Sequence, residues 1–336
     1  MMSKNGKWIG KNSDNKLTQQ FTAETSDYKL HDKENSDSIN METKLVNNEN
    51  NNKTLNLKNV LSSDSNGNNI EKAINSISRS DLSISNSDAK LLTLKEVKVA
   101  SMMKKDKKLT DYAFLKKIFV LNFQKKELTA LNFDFDVNKI SHIKVLNISH
   151  NMINDFSFVV YFPNLTSLNV SYNDLSSVYD YVFYPKLIEL NLSFTNMQYI
   201  RHLEAPNLEE LYINNCINQI EIDENSIDLP ELVKFESTNT KFKNFNFFCK
   251  LPYLVKLNIE NTGVKDLYEL AVILINKPRL NTLNYMHNLV CKNPRAFDLA
   301  LFMCPQLKKL NNKEIKPMNF EIIRRRFNDI NQIINS

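Results

Sequence analysis

Residues 143–164 read IKVLNISHNMINDFSFVVYFPN, and residues 165–186 read LTSLNVSYNDLSSVYDYVFYPK. The two stretches align without a gap. Both follow the order LxxLxLxxNxL, in which L is any leucine-type residue and the N positions are Asn151 and Asn173. An apolar spacing of two is typical of a short strand, and the spacing of three that follows is typical of a 3₁₀-like turn. Each stretch is therefore predicted to form one strand and one return.

Eight copies of this pattern fit the sequence. Their first residues are Ile118, Ile143, Leu165, Leu187, Leu208, Leu232, Leu254 and Leu280. The starts lie 25, 22, 22, 21, 24, 22 and 26 residues apart, which is the narrow period of a repeat protein. Because one unit cannot bury its apolar face alone, the copies are predicted to stack into an α/β repeat solenoid. The expected shape is a horseshoe with a concave parallel sheet and short 3₁₀ or irregular returns on the convex side.

The asparagine position of the pattern is mostly small and polar, and we call its residues the ladder column. In chain order they are Lys126, Asn151, Asn173, Thr195, Cys216, Thr240, Thr262 and Asn288. At the turn inside a stacked solenoid, backbone groups lack strand partners, and a small polar side chain can satisfy them. A structural role is therefore predicted for this column.

The composition argues against several kinds of catalytic or ligand site. The chain has only four glycines, at positions 6, 10, 67 and 263, so no glycine-rich phosphate loop is expected in the repeats. Its four cysteines, at positions 216, 249, 291 and 304, show no CxxC spacing, so neither a zinc site nor a disulfide framework is predicted. No GxSxG or HExxH motif is present. We expect no enzyme, no cofactor and no metal.

The first 90 residues differ in composition from the repeats. They hold seventeen asparagines and only three aromatic residues, Trp8, Phe21 and Tyr28. Low hydrophobicity cannot offset the entropy cost of ordering the chain, so this segment is predicted to be a disordered tail.

Positive charge is concentrated on either side of the repeats. Residues 91–118 carry eight basic and three acidic residues, and residues 306–336 carry seven and three, whereas the stretch between them carries sixteen and twenty. The basic flanks could contact phosphate or an acidic partner, or could simply be solvated. The longest aliphatic run, Ala271 to Ile275, is far shorter than the roughly 20 residues of a membrane span. We expect no membrane partner and a location in the cytoplasm, the nucleus or both.

The sequence resembles the leucine-rich repeat superfamily over residues 115–316. It is similar to the intracellular subclass with 22-residue units, typified by a regulatory subunit of protein phosphatase 1. The similarity extends to that subclass's C-terminal cap, through Asn293-Pro294, the aromatic Phe297, the segment Pro305 to Leu310, and Ile315. Two positions depart from the subclass, because Asp298 stands where a basic residue is common and Asn311 where aspartate is common. Spliceosomal and scaffold proteins have similar caps.

The resemblance implies that a protein partner binds the concave face. The residues expected to contact it are the outward strand residues and the aromatic edge of repeats two to six. They are His150, Tyr172, Glu189, Phe194, Glu210, Tyr212 and Glu236. Aromatic residues beside charged ones are typical of the energetic centres of protein interfaces. The alternative is a solvent face without a partner. His150 and His287 share one repeat position without other ligands near them in the pattern, so no metal or proton-transfer role is expected.

These patterns divide the chain into five segments. They are a tail at 1–90, a basic linker and N-terminal capping segment at 91–117, repeats at 118–292, a C-terminal cap at 293–316 and an amphipathic helix at 317–336. The last helix could fold back over the final repeat, or could bind a partner as a short coiled coil. The predicted function is a non-catalytic adaptor or regulatory scaffold subunit, in its most specific form a phosphatase regulator. The alternative is a ribonucleoprotein component that contacts RNA through its basic flanks.

Overall fold

The computed structural model describes residues 90–105, 108–178 and 182–334, so the predicted tail lies outside the described residues except for Lys90. Within them, ten strands form one sheet. The strands are Val120–Asn122, Val145–Asn147, Ser167–Asn169, Glu189–Asn191, Glu210–Tyr212, Lys234–Glu236, Lys256–Asn258, Thr282–Asn284, Lys309–Leu310 and Lys313–Glu314. The first nine run parallel, and the tenth pairs antiparallel with the ninth. The predicted leucine-rich repeat solenoid is confirmed.

The register of the sheet matches the register of the sequence copies. Leu146 pairs with Leu168, and Leu168 pairs with Leu190, which are the same position of successive repeats. The central residue of each repeat strand is buried, while its two neighbours point to the other face and remain at least partly accessible in most strands. This alternation follows from the period of two along a strand.

The convex returns are more regular than the sequence predicted. The expected 3₁₀ turns occur at Val137–Ile140, Ser157–Tyr161, Asn246–Lys250 and Leu289–Lys292. Repeats three to five instead form two further parallel sheets of three strands each. One contains Ser177–Val178, Tyr199–Ile200 and Glu221–Ile222, and the other contains Val182–Phe183, Leu203–Glu204 and Ile227–Asp228. The turn of the solenoid is therefore three-sided in this region.

Repeat seven returns through an α-helix, Leu267–Leu274, whose first turn is capped by the Asp266 carboxylate. The 26 residues from its start to the next are the longest of the seven spacings, and the additional residues give room for two helical turns. The core lies between the concave sheet and these returns. Its densest aromatic group is in repeat six, where the Phe247 and Phe248 rings lie 4.3 Å apart and Phe235 packs edge-on against Phe248.

The N-terminal end of the repeats is covered by residues 90–105 and 108–117, which we call the N-terminal cap. A two-residue strand, Leu91–Leu92, pairs with Asn132–Phe133, and a helix, Leu94–Ala100, follows it. The second helix, Asp111–Leu115, begins after Thr110, whose hydroxyl accepts a hydrogen bond from the Ala113 amide. Sequence analysis assigned this range to a linker and capping segment but did not identify the strand or the first helix.

The C-terminal end is covered by a helix, Arg295–Met303, the last two sheet strands, and a final helix, Pro317–Ile334. Ile323 of the final helix is buried, and Phe320 packs against the core. An ion pair of 2.9 Å joins Arg326 Nη1 to Asp298 Oδ2 on the preceding helix. The first half of the final helix therefore folds back onto the end of the solenoid.

Candidate functional site

One residue in every repeat adopts a left-handed backbone conformation at the end of its strand, just before the ladder column. In chain order these residues are Lys125, His150, Tyr172, Phe194, Asn215, Asn239, Asn261 and His287, with φ between 53° and 60°. Asparagine tolerates this conformation well, whereas bulky side chains adopt it at an energetic cost. Repeats five to seven carry asparagine here, and repeats two to four carry an aromatic ring instead.

The three aromatic rings form a continuous stack, which we call the aromatic stack. The His150 and Tyr172 rings lie 4.0 Å apart with an interplanar angle of 10°, and the Tyr172 and Phe194 rings show the same distance and angle. Tyr172 is 41% exposed and Phe194 is 39% exposed. Since adjacent strands hold equivalent residues at a nearly constant spacing, the backbone itself aligns the rings. The stack presents aromatic ring edges to solvent along the rim of the concave face.

The asparagines of repeats five to seven bond to one another. Asn239 Nδ2 donates to Asn215 Oδ1 at 3.0 Å, and Asn261 Nδ2 donates to Asn239 Oδ1 at 2.9 Å. Lys241 Nζ then donates to both the carbonyl and the side-chain oxygen of Asn261. In this half of the rim the polar side chains hydrogen-bond to one another, whereas the other half carries the aromatic stack.

A second asparagine column lies on the strands, at the last strand position. Its members are Asn122, Asn147, Asn169, Asn191, Asn258 and Asn284. In each of them the side-chain oxygen accepts a hydrogen bond from the amide two residues later, at 3.0 to 3.1 Å. These Asx turns hold the backbone as it enters the left-handed residue. The column is therefore structural, although it lies on the concave face.

Two repeats lack this asparagine and carry Tyr212 and Glu236 in its place. Together with Glu210 and Lys234 they form a connected group that we call the charged cluster. Lys234 Nζ donates to the Tyr212 hydroxyl at 2.8 Å, and it lies 3.2 Å from Glu236 and 3.5 Å from Glu210. The Tyr212 hydroxyl in turn donates to Glu210, and the Lys234 ammonium lies 4.6 Å from the centre of the Tyr212 ring.

The hydrogen bonds of the charged cluster shift the pKa values of its members. The bond from Tyr212 lowers the pKa of Glu210, while burial and the same bond raise the pKa of Tyr212. Desolvation would lower the pKa of Lys234, but its bonds to Tyr212 and Glu236 outweigh that effect and raise it. These shifts hold Glu210 and Lys234 in their charged forms and Tyr212 in its neutral form at neutral pH. This stabilises a fixed charge pattern and does not create a proton-transfer site.

The structure brings the predicted concave residues together in two places rather than one. His150, Tyr172 and Phe194 form the aromatic stack on the rim, whereas Glu210, Tyr212 and Glu236 belong to the charged cluster on the sheet. The remaining predicted residue, Glu189, accepts a hydrogen bond from the Ser167 hydroxyl at 3.1 Å, on the sheet between the two groups. Tyr212 lies three positions earlier in its repeat than the stacked rings and contacts Lys234 instead of them.

From Asn151 to Asn288 the ladder column is buried and hydrogen-bonded to the backbone, whereas Lys126 in the first repeat is exposed. Asn151 Oδ1 accepts from the amides of Lys126 and Leu128, and its Nδ2 donates to backbone carbonyls of its own and the preceding repeat. Asn173 and Asn288 make equivalent bonds. The column continues with Thr195, Cys216, Thr240 and Thr262. The Thr195 and Thr262 hydroxyls donate to carbonyls of their own turn, and the Thr240 hydroxyl donates to the Ile213 carbonyl of the preceding repeat.

The opposite rim, where the strands begin, borders an open groove of about 800 Å³ that sequence analysis did not identify. Phe119 and His142 pack edge-to-face there, and Lys144 lies over the Phe119 ring. Ile188 and Glu209 line the groove further along. Phe119, Lys144, Ile188 and Glu209 are each the second residue of a repeat, and this shared position could have indicated the surface from the sequence. Among the described residues, no three His, Cys, Asp or Glu side chains lie close enough to bind a metal ion.

No family model matches the chain, and no curated protein matches it. Solved structures do resemble it. The neighbours are leucine-rich repeat proteins. The structure is similar to an LRR protein of Leptospira interrogans, with a TM-score of 0.46 and 21% identity over 59% of this chain. It is also similar to InlP of Listeria monocytogenes, with a TM-score of 0.47 and 16% identity over 65% of this chain.

A third likeness is to the Drosophila melanogaster SNF/U2A' complex, with a TM-score of 0.27 and 17% identity over 52% of this chain and 75% of the other. The match spans 50% of the Leptospira protein and 62% of InlP. Similarity this remote carries no information about partners. None of the helices in the described part of the chain has the length and hydropathy to cross a bilayer.

Proposed function

We propose that this protein is a non-catalytic adaptor that binds a protein partner through the aromatic stack and the charged cluster. The observation that carries the proposal is the aromatic stack itself. Its residues occupy left-handed positions where repeats five to seven carry asparagine, so the chain accepts strain in order to present aromatic rings. Strained residues that a fold does not require are often retained for a function.

The charged cluster supports the same proposal by a separate argument. Six repeats form an Asx turn at this strand position, whereas repeats five and six carry Tyr212 and Glu236 there. Fixed charges beside a tyrosine can orient a partner and exclude others. A partner that covers both groups would lie across repeats two to six of the concave face. A surface that spans five repeats is compatible with a protein interface of ordinary size, which buries about 800 Å² per partner.

The finer form of the proposal is a regulatory subunit of a phosphatase. It is supported by the sequence resemblance of the C-terminal cap, including Phe297 and Ile315. The ribonucleoprotein alternative depends on the basic flanks. In the N-terminal cap, Lys98 and Lys105 both bond to Asp111, which leaves them less available to bind phosphate.

The test is affinity capture from native extract with the full chain as bait. The variant Tyr172→Asn/Phe194→Asn replaces the rings with the residue that repeats five to seven use at the same position. The matched control is Tyr268→Asn, which removes a tyrosine that is 58% exposed on the convex helix of repeat seven. We expect the double variant to lose a partner that the wild-type chain and the control both retain.

Capture of the same partner by the double variant would contradict the proposal. Salt distinguishes the two functional classes. A complex driven by phosphate contacts weakens steeply as ionic strength rises, whereas an interface centred on aromatic rings should persist. Capture that is lost both in moderate salt and, at low salt, after treatment with ribonuclease would support the ribonucleoprotein alternative.

A further inference from the structure

The outer surface of the N-terminal cap carries exposed apolar side chains next to lysines. Val99 is 64% exposed, Met102 is 80% exposed and Met103 is 45% exposed. Lys95 and Lys104 are exposed beside them. We call these five residues the cap face.

The cap face combines one side of the first helix with the segment that follows it. Lys95 and Val99 lie four residues apart on the helix, which ends at Ala100, and Met102, Met103 and Lys104 come directly after it. The opposite side, which includes Val97 and Ala100, is buried against the first repeat. The side chains of Val99 and Met102 therefore do not contribute to the core.

Backbone conformation singles out the same place. Met102 has a φ of 54°, the left-handed conformation in which helices usually end on glycine or asparagine. A long apolar residue at this position is strained and, in this chain, almost fully exposed to water. The core does not account for it.

Charge indicates the kind of partner. Residues 91–118 carry eight lysines, no arginine and three acidic residues. Lys98 and Lys105 pair with Asp111, whereas Lys95 and Lys104 of the cap face are exposed. Lysines bind the phosphates of nucleic acids and of lipids alike, but protruding apolar side chains beside them suit an anionic lipid surface, in which the apolar groups enter the interface and the ammonium groups remain at the headgroups.

We propose that the cap face docks onto the surface of a bilayer containing anionic phospholipids. Val99, Met102 and Met103 enter the headgroup region, and Lys95 and Lys104 contact lipid phosphates and carboxylates. This surface is distinct from the concave face, so the adaptor could hold a partner at a membrane without spanning it. The proposal departs from the sequence-based expectation of no membrane partner, which rested on the absence of a long apolar segment.

The test is sedimentation of the full chain with vesicles of phosphatidylcholine alone and of phosphatidylcholine mixed with phosphatidylserine. We expect binding only to the mixed vesicles. The variant Met102→Ser/Met103→Ser should weaken it at least about tenfold, because two exposed apolar side chains no longer enter the interface. Lys104→Gln should weaken it about fivefold, the effect of one lysine near an anionic surface.

Matched controls come from the other end of the molecule. Met318→Ser removes a methionine that is 68% exposed on the final helix, and Lys313→Gln removes an exposed lysine nearby. Neither should change vesicle binding. All four variants change only exposed positions, so circular dichroism should show unchanged folding.

Three results would overturn the proposal. The first is the absence of binding to mixed vesicles, and the second is equal binding to neutral vesicles. The third is binding that the methionine variant leaves intact while salt abolishes it. This last result would identify a polyanion site, and competition by RNA would then establish nucleic acid as its occupant.

Discussion

The rings of Tyr172 and Phe194 lie parallel and 4.0 Å apart, although both residues have left-handed φ angles, of 56° and 59°. The stacking gain of an aromatic pair is about 0.5 to 1.5 kcal/mol, and the cost of the left-handed conformation is about 1 to 2 kcal/mol per residue. The stack therefore adds little or nothing to stability. This balance is why we assign it to recognition rather than to folding.

The first prediction tests the strain at Tyr172. Tyr172→Asn should leave the free energy of unfolding within about 1 kcal/mol of the wild-type value, because lower strain offsets the lost stacking. Tyr172→Val should be less stable than Tyr172→Asn by about 1 to 2 kcal/mol, since a β-branched residue tolerates the left-handed region poorly. Urea denaturation of both variants measures the difference. Equal stabilities would show that the position is not strained.

The second prediction concerns the ladder column at Asn288. Its side-chain oxygen accepts hydrogen bonds from the amides of Thr262, Gly263 and Val264, and its Nδ2 donates to the carbonyls of Ile259 and Tyr285. Asn288→Ala leaves these buried groups without partners, so we expect a loss of about 3 kcal/mol in the free energy of unfolding.

The control for that measurement is Asn138→Ala, which changes an exposed asparagine in a convex 3₁₀ turn. It should change stability by no more than about 0.5 kcal/mol. A similar small loss for Asn288→Ala would mean that water replaces the side chain in the turn, and the structural role of the column would be wrong.

The fold could be predicted from the sequence because the repeat period fixes both the register and the buried face. Each of the eight repeats, from the one that begins at Ile118 to the one that begins at Leu280, begins two residues before a strand of the sheet. The first helix of the N-terminal cap was missed although it carried a recognisable signal. Thr93 and Glu96 form a capping box, with Glu96 Oε2 2.8 Å from the Thr93 amide, and the buried Val97 and Ala100 follow at helical spacing.

The two parts of the candidate site differed in how far the sequence could indicate them. The positions of His150 and Tyr172 follow from repeat register alone, but their left-handed backbone and ring stacking depend on the three-dimensional turn. The strand asparagines, such as Asn147, lie at outward-facing strand positions, and only their hydrogen bonds to the following amides show that they are structural. The charged cluster lies where Tyr212 and Glu236 interrupt that asparagine column.

The third prediction concerns the final helix. Ile323 is 4% exposed, so Ile323→Ala should lower the free energy of unfolding by about 2 to 4 kcal/mol. Arg326→Ala removes an ion pair whose arginine side chain is 62% exposed, and solvent screening should limit its effect to less than about 1 kcal/mol. Thermal unfolding of the two variants measures both. If Arg326→Ala were the more damaging change, the helix would be held by charge rather than by burial.

The fourth prediction concerns Lys277, which is 3% exposed between convex elements of repeats six and seven. Its Nζ donates to the carbonyls of Phe248 at 2.7 Å and Ile275 at 2.9 Å. Burial lowers the pKa of Lys277 to about 8. A neutral amine has two N–H donors, which suffice for these two carbonyls, so the folded protein accommodates loss of the proton without losing either bond.

The sign of the pH dependence follows from this shift. The folded pKa of Lys277, about 8, is below the unfolded value of 10.5, so the unfolded chain binds more protons between those values and stability rises with pH. From pH 7 to pH 9 this contribution is about 1 kcal/mol.

Burial also raises the pKa of Cys304 to about 12, which lowers stability as pH rises above about 9 and sets the upper limit of the useful range. The measurement is therefore the difference between wild-type protein and Lys277→Met, obtained by urea denaturation at pH 7, 8 and 9. We expect the wild-type chain to gain about 1 kcal/mol relative to the variant over this range, and parallel pH profiles would show that the Lys277 amine is not titrating there.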